Sequence, residues 1–153
     1  MQQLQKQQGI TLVELMVTIA IVGILTAVAV PAYTSYISQS FRSAALLEIA
    51  RVANLQEEFF ADRNTYTTAI RTNFGLPGTN EVYDVTADGA NQVMYQITVA
   101  AVNNITDDYI ITATAVGAQA TNDTECRTMT LNSFGQKDGT DSNGTANGLD
   151  CWQ

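Results

Sequence analysis

At 153 residues the chain suits one domain plus a membrane-spanning segment. Seven basic residues face 15 acidic ones with no histidine, a formal net charge of −8. Such a surface repels nucleic-acid phosphates and anionic headgroups, and the side chain most used as general base or metal ligand is missing.

Residues 1–9, Met1 to Gly9, are polar and Gln-rich with a single Lys6, and read as a leader rather than as folded structure. An apolar run of 21 residues follows, Ile10 to Val30, roughly 32 Å as a helix and enough for a bilayer core. One carboxylate, Glu14, stands inside it. A charge at such depth costs roughly 2.5 to 3.5 kcal/mol on insertion scales, so it marks function and requires a partner. Two other readings of this stretch stay open: a secretory signal ending at Ala27-Val28-Ala29, and an unprocessed anchor. Glu14 and the helical pattern that continues beyond residue 29 oppose the first of these.

After Pro31 the residues Ile37, Phe41, Ala45, Ile49, Val52, Leu55 and Phe59 recur at helical spacing and make one apolar stripe. Arg42, Glu48, Arg51, Glu57 and Glu58 fall mostly off it, and Glu48 with Arg51 forms an i,i+3 pair. The helix is expected to end near Asp62 to Thr65. If continuous from Ile10 to Asp62 it is roughly 80 Å long, so its first half must bury itself outside its own domain. Pro31 removes a backbone hydrogen bond and is expected to kink the helix, and Gly23 is a second weak point.

Arg63 to Gln92 reads as a connecting region with a turn at Gly75-Leu76-Pro77-Gly78 and at most one short strand near Glu81 to Val85. Three strands are expected from period-two alternation: Val93 to Val99, Tyr109 to Ala115 and Arg127 to Leu131. Beyond Leu131 a Gly/Asn/Asp/Thr-rich segment through Gly148 is expected to be irregular and solvent-facing. Strands following one helix argue an α+β arrangement, an antiparallel sheet of about three to four strands covering the stripe. Cys126 and Cys151 are expected to pair in an exported chain, and the closed loop is worth roughly 3.5 kcal/mol by its entropy.

Gly9-Ile10-Thr11-Leu12-Val13-Glu14, at the head of that apolar run, resembles the processing motif of bacterial type IV pilins and pseudopilins. The resemblance implies that prepilin peptidase cuts after Gly9 and methylates Ile10, and that the fold is pilin-like. It gives Glu14 a role in assembly, contacting the N-terminal amine of a neighbouring subunit, and sets Gly23 and Pro31 as helix-kink positions. In filaments of this family the segment between those two residues often loses helicity. The Cys126 to Cys151 loop beside Trp152 also looks like those chains. Ile10 departs from the Phe or Met that many members carry there, and the leader has only one side-chain charge.

The expected division is a leader at 1–9, a transmembrane or filament-core helix half at 10–31 and a periplasmic or extracellular globular domain at 32–153. That domain comprises an amphipathic helix at 32–63, a connecting region at 64–91 and the sheet with its disulfide loop at 92–153. The function expected is a structural pilin, major or minor, held in the inner membrane before entering an extracellular pilus. Its partners would be other pilin subunits, the peptidase and the assembly machinery. Alternatives are a pseudopilin of a type II secretion system, or a minor pilin receiving DNA during uptake. Only Arg71, Arg127 and Lys137 are basic after residue 63, which argues against direct nucleic-acid binding.

No catalytic residue or cofactor is expected, since no phosphate loop or nucleophile-elbow serine occurs. Asp138, Asp141, Asn143 and Asp150 suggest a calcium loop, but Trp152 stands where an EF-hand would need its bidentate Glu, so no metal is assigned. The triplets at Asn104, Asn122 and Asn143 match a glycosylation pattern and are given no role. Glu57, Glu58 and Asp62 read as a solvated helix face.

Overall fold

The computed structural model describes residues 9–86 and 92–153, so the expected leader lies outside the described residues apart from Gly9. Helix α1 spans Leu12–Arg63, 52 residues. The chain divides into two compact units, one ending at Thr34 and the other Ser35–Gln153.

In the first unit α1 starts on Thr11. Its hydroxyl accepts the Glu14 N–H at 3.2 Å and its carbonyl accepts the Leu15 N–H at 3.1 Å. Thr11-x-x-Glu14 is thus the sequence of a capping box with its N-cap half formed. The helix runs unbroken through Gly23 and Pro31. The Thr18 and Thr26 hydroxyls each donate to the carbonyl four residues back, at 2.7 Å. The large apolar side chains from Leu12 to Val30 are all more than half exposed.

In the second unit Ala45, Ile49 and Val52 of the stripe are fully buried, while Ile37, Phe41, Leu55 and Phe59 are half-buried. Asn64 ends the helix with φ 54, the left-handed turn in which a short polar side chain replaces glycine, and its N–H donates to the Phe60 carbonyl at 2.8 Å. The chain then folds back on Gln56, a buried amide that pairs with the Thr67 backbone as a strand would. Gln56 Nε2 donates to the Thr67 carbonyl at 2.5 Å, and the Thr67 N–H donates to Oε1 at 3.0 Å. A polar residue in the stripe is therefore fully satisfied.

A short helix α2 (Ile70–Phe74) precedes strands β1 (Gly78–Thr79) and β2 (Val82–Thr86). Their two-residue turn has φ 52 at Asn80 and φ 58 at Glu81, the type I′ geometry that matches strand twist. Glu81 accepts that left-handed conformation while its carboxylate takes the backbone N–H groups of Arg71 and Thr72 at 2.8 and 3.2 Å. Strands β3 (Val93–Ala100), β4 (Ile110–Ala115), β5 (Thr128–Asn132) and β6 (Lys137–Thr140) complete one sheet, ordered β1 to β6 as in the chain. Every pairing is antiparallel. A helix α3 (Gly117–Asn122) links β4 to β5, and a 3-10 helix (Gly148–Trp152) closes the chain. Inward-facing Tyr95, Ile97, Val99, Ile111, Ala113, Ala115 and Met129 share one core with Ala45, Ile49 and Val52.

The α+β pilin-like arrangement is therefore present, with six strands among the described residues where three to four were expected. The segment expected to be irregular after Leu131 contains β6. Its register, Leu131↔Lys137 and Met129↔Gly139, is set by the β5–β6 hairpin rather than by an apolar pattern. Strand β1 escaped notice because two residues carry no periodicity.

Candidate functional site

The sequence-predicted site residues fall into two groups. Gly9 and Ile10 precede α1, with Ile10 77% exposed, and Glu14 occupies the first turn. Gly23 and Pro31 lie farther along the same helix, and a Cβ at Gly23 would meet nothing within 4 Å. This helix is long and apolar enough to cross a membrane, and its most apolar 18-residue window has no buried residue. Exposing so much contiguous apolar surface is unfavourable in water, so the stretch requires lipid or other protein around it. Glu14 puts a charge on that surface, and the helix N-terminus alongside favours an anion.

The second group is the disulfide. Cys126 and Cys151 are joined, both fully buried, with Cα atoms 5.5 Å apart. The bridge closes a segment holding β5, β6 and the 3-10 helix. Gly139 makes room for it: a Cβ there would stand 3.1 Å from both Cβ and Sγ of Cys151 and 3.0 Å from the Thr128 carbonyl. The same segment shuts the outer edge of β6. The Gly139 N–H donates to Oδ1 of Asp138 at 2.7 Å, and its carbonyl accepts the Asn147 N–H at 2.8 Å. Trp152 Nε1 donates to the Asp138 carbonyl at 2.9 Å, and the Lys137 ammonium sits 4.9 Å over the Trp152 ring.

A buried polar cluster, which sequence reasoning missed, ties this region to α1. Arg42 donates to Asp123 through Nε at 3.0 Å and Nη2 at 2.7 Å, a two-point contact between side chains 12% and 2% exposed. Gln119 Nε2 lies 3.0 Å from the Ser38 carbonyl, 3.1 Å from the Tyr95 hydroxyl and 3.1 Å from Asp123 Oδ2. The Cys126 N–H donates to Asp123 Oδ1 at 3.2 Å. Burial pushes the Tyr95 hydroxyl up to about 12, with the nearby Asp123 carboxylate adding to the shift. At α1's far end Tyr109 meets Tyr66 edge-on with ring centroids 4.6 Å apart, and burial raises its hydroxyl too, ahead of the repulsion from Glu57. Arg42 reads as a solvated residue from spacing alone, and only an acidic residue expected deep in the fold would have signalled its role. Glu48 and Arg51 form the expected exposed pair at 3.3 Å.

Of the residues weighed for calcium, Asp138 and Asp141 hold local backbone N–H groups. Asp141 Oδ1 accepts the N–H groups of Asn143 and Thr145, each at 2.8 Å, which holds its carboxyl below the usual range. Asp150 faces Gln153 Nε2 at 3.4 Å.

A family model described as "Type IV minor pilin ComP, DNA uptake sequence receptor" matches residues 31–130, about two thirds of the chain. A second, "Prokaryotic N-terminal methylation motif", matches residues 4–30. The chain belongs to the type IV pilin family. Relatives of this pilin include fimbrial protein EcpC of Eikenella corrodens, 40% identical over 62 residues, 40% of each chain. The type IV major pilin protein PilA of Myxococcus xanthus is 34% identical over 62 residues, 40% of this chain and 28% of that one. The type IV major alpha-pilin of Moraxella bovis is 65% identical over 34 residues, 22% of this chain and 21% of its own length. The pilin thus aligns with well under half the length of these curated relatives.

Proposed function

We propose that this pilin is cut after Gly9 by a prepilin peptidase, methylated on Ile10 and built into a pilus through its N-terminal helix. The observation that carries the reading is Glu14, a carboxylate on an exposed apolar helix, inside the matched methylation motif. Cleavage creates an ammonium on Ile10, four residues from Glu14. In lipid each copy carries both charges unpaired, and a staggered bundle lets the amine of one copy meet the carboxylate of the next. Removing one partner of a buried pair costs about 3 to 5 kcal/mol, so a wrong stagger is penalised and the pair fixes axial register. Apolar contacts supply cohesion, and Gly23 and Pro31 give the helix places to bend or unwind as copies pack.

On this reading the chain rests in the inner membrane with its second unit outside the cytoplasm, then enters an extracellular filament. Its partners are other pilin subunits, the peptidase and the assembly machinery. Glu14→Val is expected to be cleaved and folded normally yet absent from filaments, by immunoblot of sheared pili. Normal piliation by that variant, or purified material whose mass begins elsewhere than Ile10, refutes the proposal.

Reception of DNA during uptake is a second reading, favoured by the description of the matched family. Charge opposes it: after residue 63 three basic residues face ten acidic ones. Of these three, Arg127 donates to the Ala120 carbonyl and Lys137 lies over Trp152, so few cations remain to displace counterions. An electrophoretic shift with the full chain in detergent separates the two. Clear binding near physiological salt would establish the DNA role.

A further inference from the structure

Two Asn-Gly pairs stand in the disulfide-closed segment, Asn143-Gly144 and Asn147-Gly148, and the fold treats them differently. We propose that Asn143 is a site of spontaneous deamidation, while Asn147 is protected by its hydrogen bonds. The chemistry needs only base and water. The Gly144 backbone nitrogen gives its proton to base and attacks Cγ of Asn143. A C–N bond forms and the Cγ–Nδ2 bond breaks. The departing amide takes a proton from water and leaves as ammonia. Water then opens the resulting succinimide at either carbonyl, giving aspartate or isoaspartate. No electrons pass to or from any other reactant.

Asn143 meets the requirements. It is exposed, at the tip of the turn from Asp141 to Thr145. The attacking residue carries no Cβ to hinder it, which is equally true at Gly148, so the two sites are told apart by their hydrogen bonds. Among the described residues the Gly144 N–H is held only by the Asp141 carbonyl at 3.2 Å, at the long end of the hydrogen-bond range. Asp141 Oδ1 grips the N–H groups of Asn143 and Thr145 and so anchors the turn on both sides of the peptide that reacts.

Asn147 has the same neighbour in sequence and a different environment. Its Nδ2, the group that must leave, donates to the Glu125 carbonyl at 2.8 Å. Its N–H donates to the Gly139 carbonyl at 2.8 Å, and its own carbonyl accepts the Asp150 N–H at 3.2 Å. Cyclisation there requires the Nδ2 and carbonyl bonds to open, whereas the N–H bond has its counterpart at Asn143 and does not distinguish the two sites. Two such bonds slow the reaction by roughly tenfold or more. Conversion at Asn143 places a new carboxylate two residues from Asp141, making an acidic loop more acidic without disturbing the sheet.

The test incubates the purified full chain in detergent at alkaline pH and follows both residues by peptide mapping and an isoaspartate methyl-acceptor assay. Asn143 is expected to convert at least about tenfold faster than Asn147 in the folded, oxidised protein. After reduction and unfolding in urea the two rates are expected to converge to within about twofold, because only the fold distinguishes them. N143Q should abolish the early isoaspartate signal. Asn147 keeping pace with Asn143 in the folded protein overturns the proposal, as does undiminished isoaspartate in N143Q. So does an Asn143 that stays intact while the unfolded chain converts.

Discussion

Replacing Asp123 by alanine removes a carboxylate that is 4% exposed and holds Arg42, Gln119 and the Cys126 N–H together. The guanidinium left behind has a side chain 12% exposed, so water reaches it poorly and cannot replace what it loses. Breaking such a pair from one side costs about 3 to 5 kcal/mol, and the residual access to water points to the lower end, about 3 kcal/mol. With a urea dependence of about 2 kcal/mol/M for a domain of this size, the unfolding midpoint should fall by about 1.5 M. The assay is urea unfolding of the full chain in detergent, read from near-ultraviolet dichroism of the tyrosines and Trp152. Replacing both partners with apolar residues, Arg42→Met with Asp123→Leu, should recover part of the loss, because no charge is then stranded although the Cys126 N–H still lacks its acceptor. A midpoint shift below about 0.3 M, or a double variant no more stable than Asp123→Ala, would refute the assignment of Arg42 as a buried charge dependent on one acid.

Tyr95 predicts an alkaline limit. Its hydroxyl is pushed up to about 12 in the fold against about 10 unfolded, so the stabilisation is complete below pH 10 and lost as pH rises toward 12. The effect is about 3 kcal/mol, and Tyr95→Phe should make the stability profile less steep across that window, the remaining slope coming from Tyr83 and Tyr109, whose hydroxyls burial also raises; an unchanged slope would show that Tyr95 does not titrate there. Gly139→Ala places a methyl group against Cys151 and the Thr128 carbonyl and is expected to cost about 1 to 3 kcal/mol. Thiol titration of the folded variant should reveal a larger free-cysteine fraction, and full bridging with unchanged stability would contradict the close approach.

Much of the fold was legible because its signals are local. The stripe at Ala45, Ile49 and Val52 announced the buried face of α1, and the alternation at Val93 to Val99 and Tyr109 to Ala115 announced β3 and β4. What escaped depends on partners distant in sequence. Lys137-Asp138-Gly139-Thr140 has no apolar side chain, and its strand exists because β5 pairs with it and the disulfide leaves room only for glycine. Gly117 to Asn122 offers no apolar period, yet Gln119 is almost wholly buried because it meets Ser38, 81 residues away. Gln56, a polar amide on α1, is likewise buried because the Thr67 backbone lies against it. For the candidate site, Glu14 stood out because a lone carboxylate in an apolar run contradicts its surroundings. Thr11 as its helix cap required the geometry.

The guarded rim of the sheet bears on how copies of this chain join. Strands with unoccupied backbone groups invite like strands from neighbours, and a fibre-forming protein packs its copies at extreme local concentration. Here the chain's own last residues, Asn147 and Trp152, occupy carbonyls along the outermost strand. Growth by strand stacking on that strand is thereby denied, which agrees with the proposed assembly through the N-terminal helix.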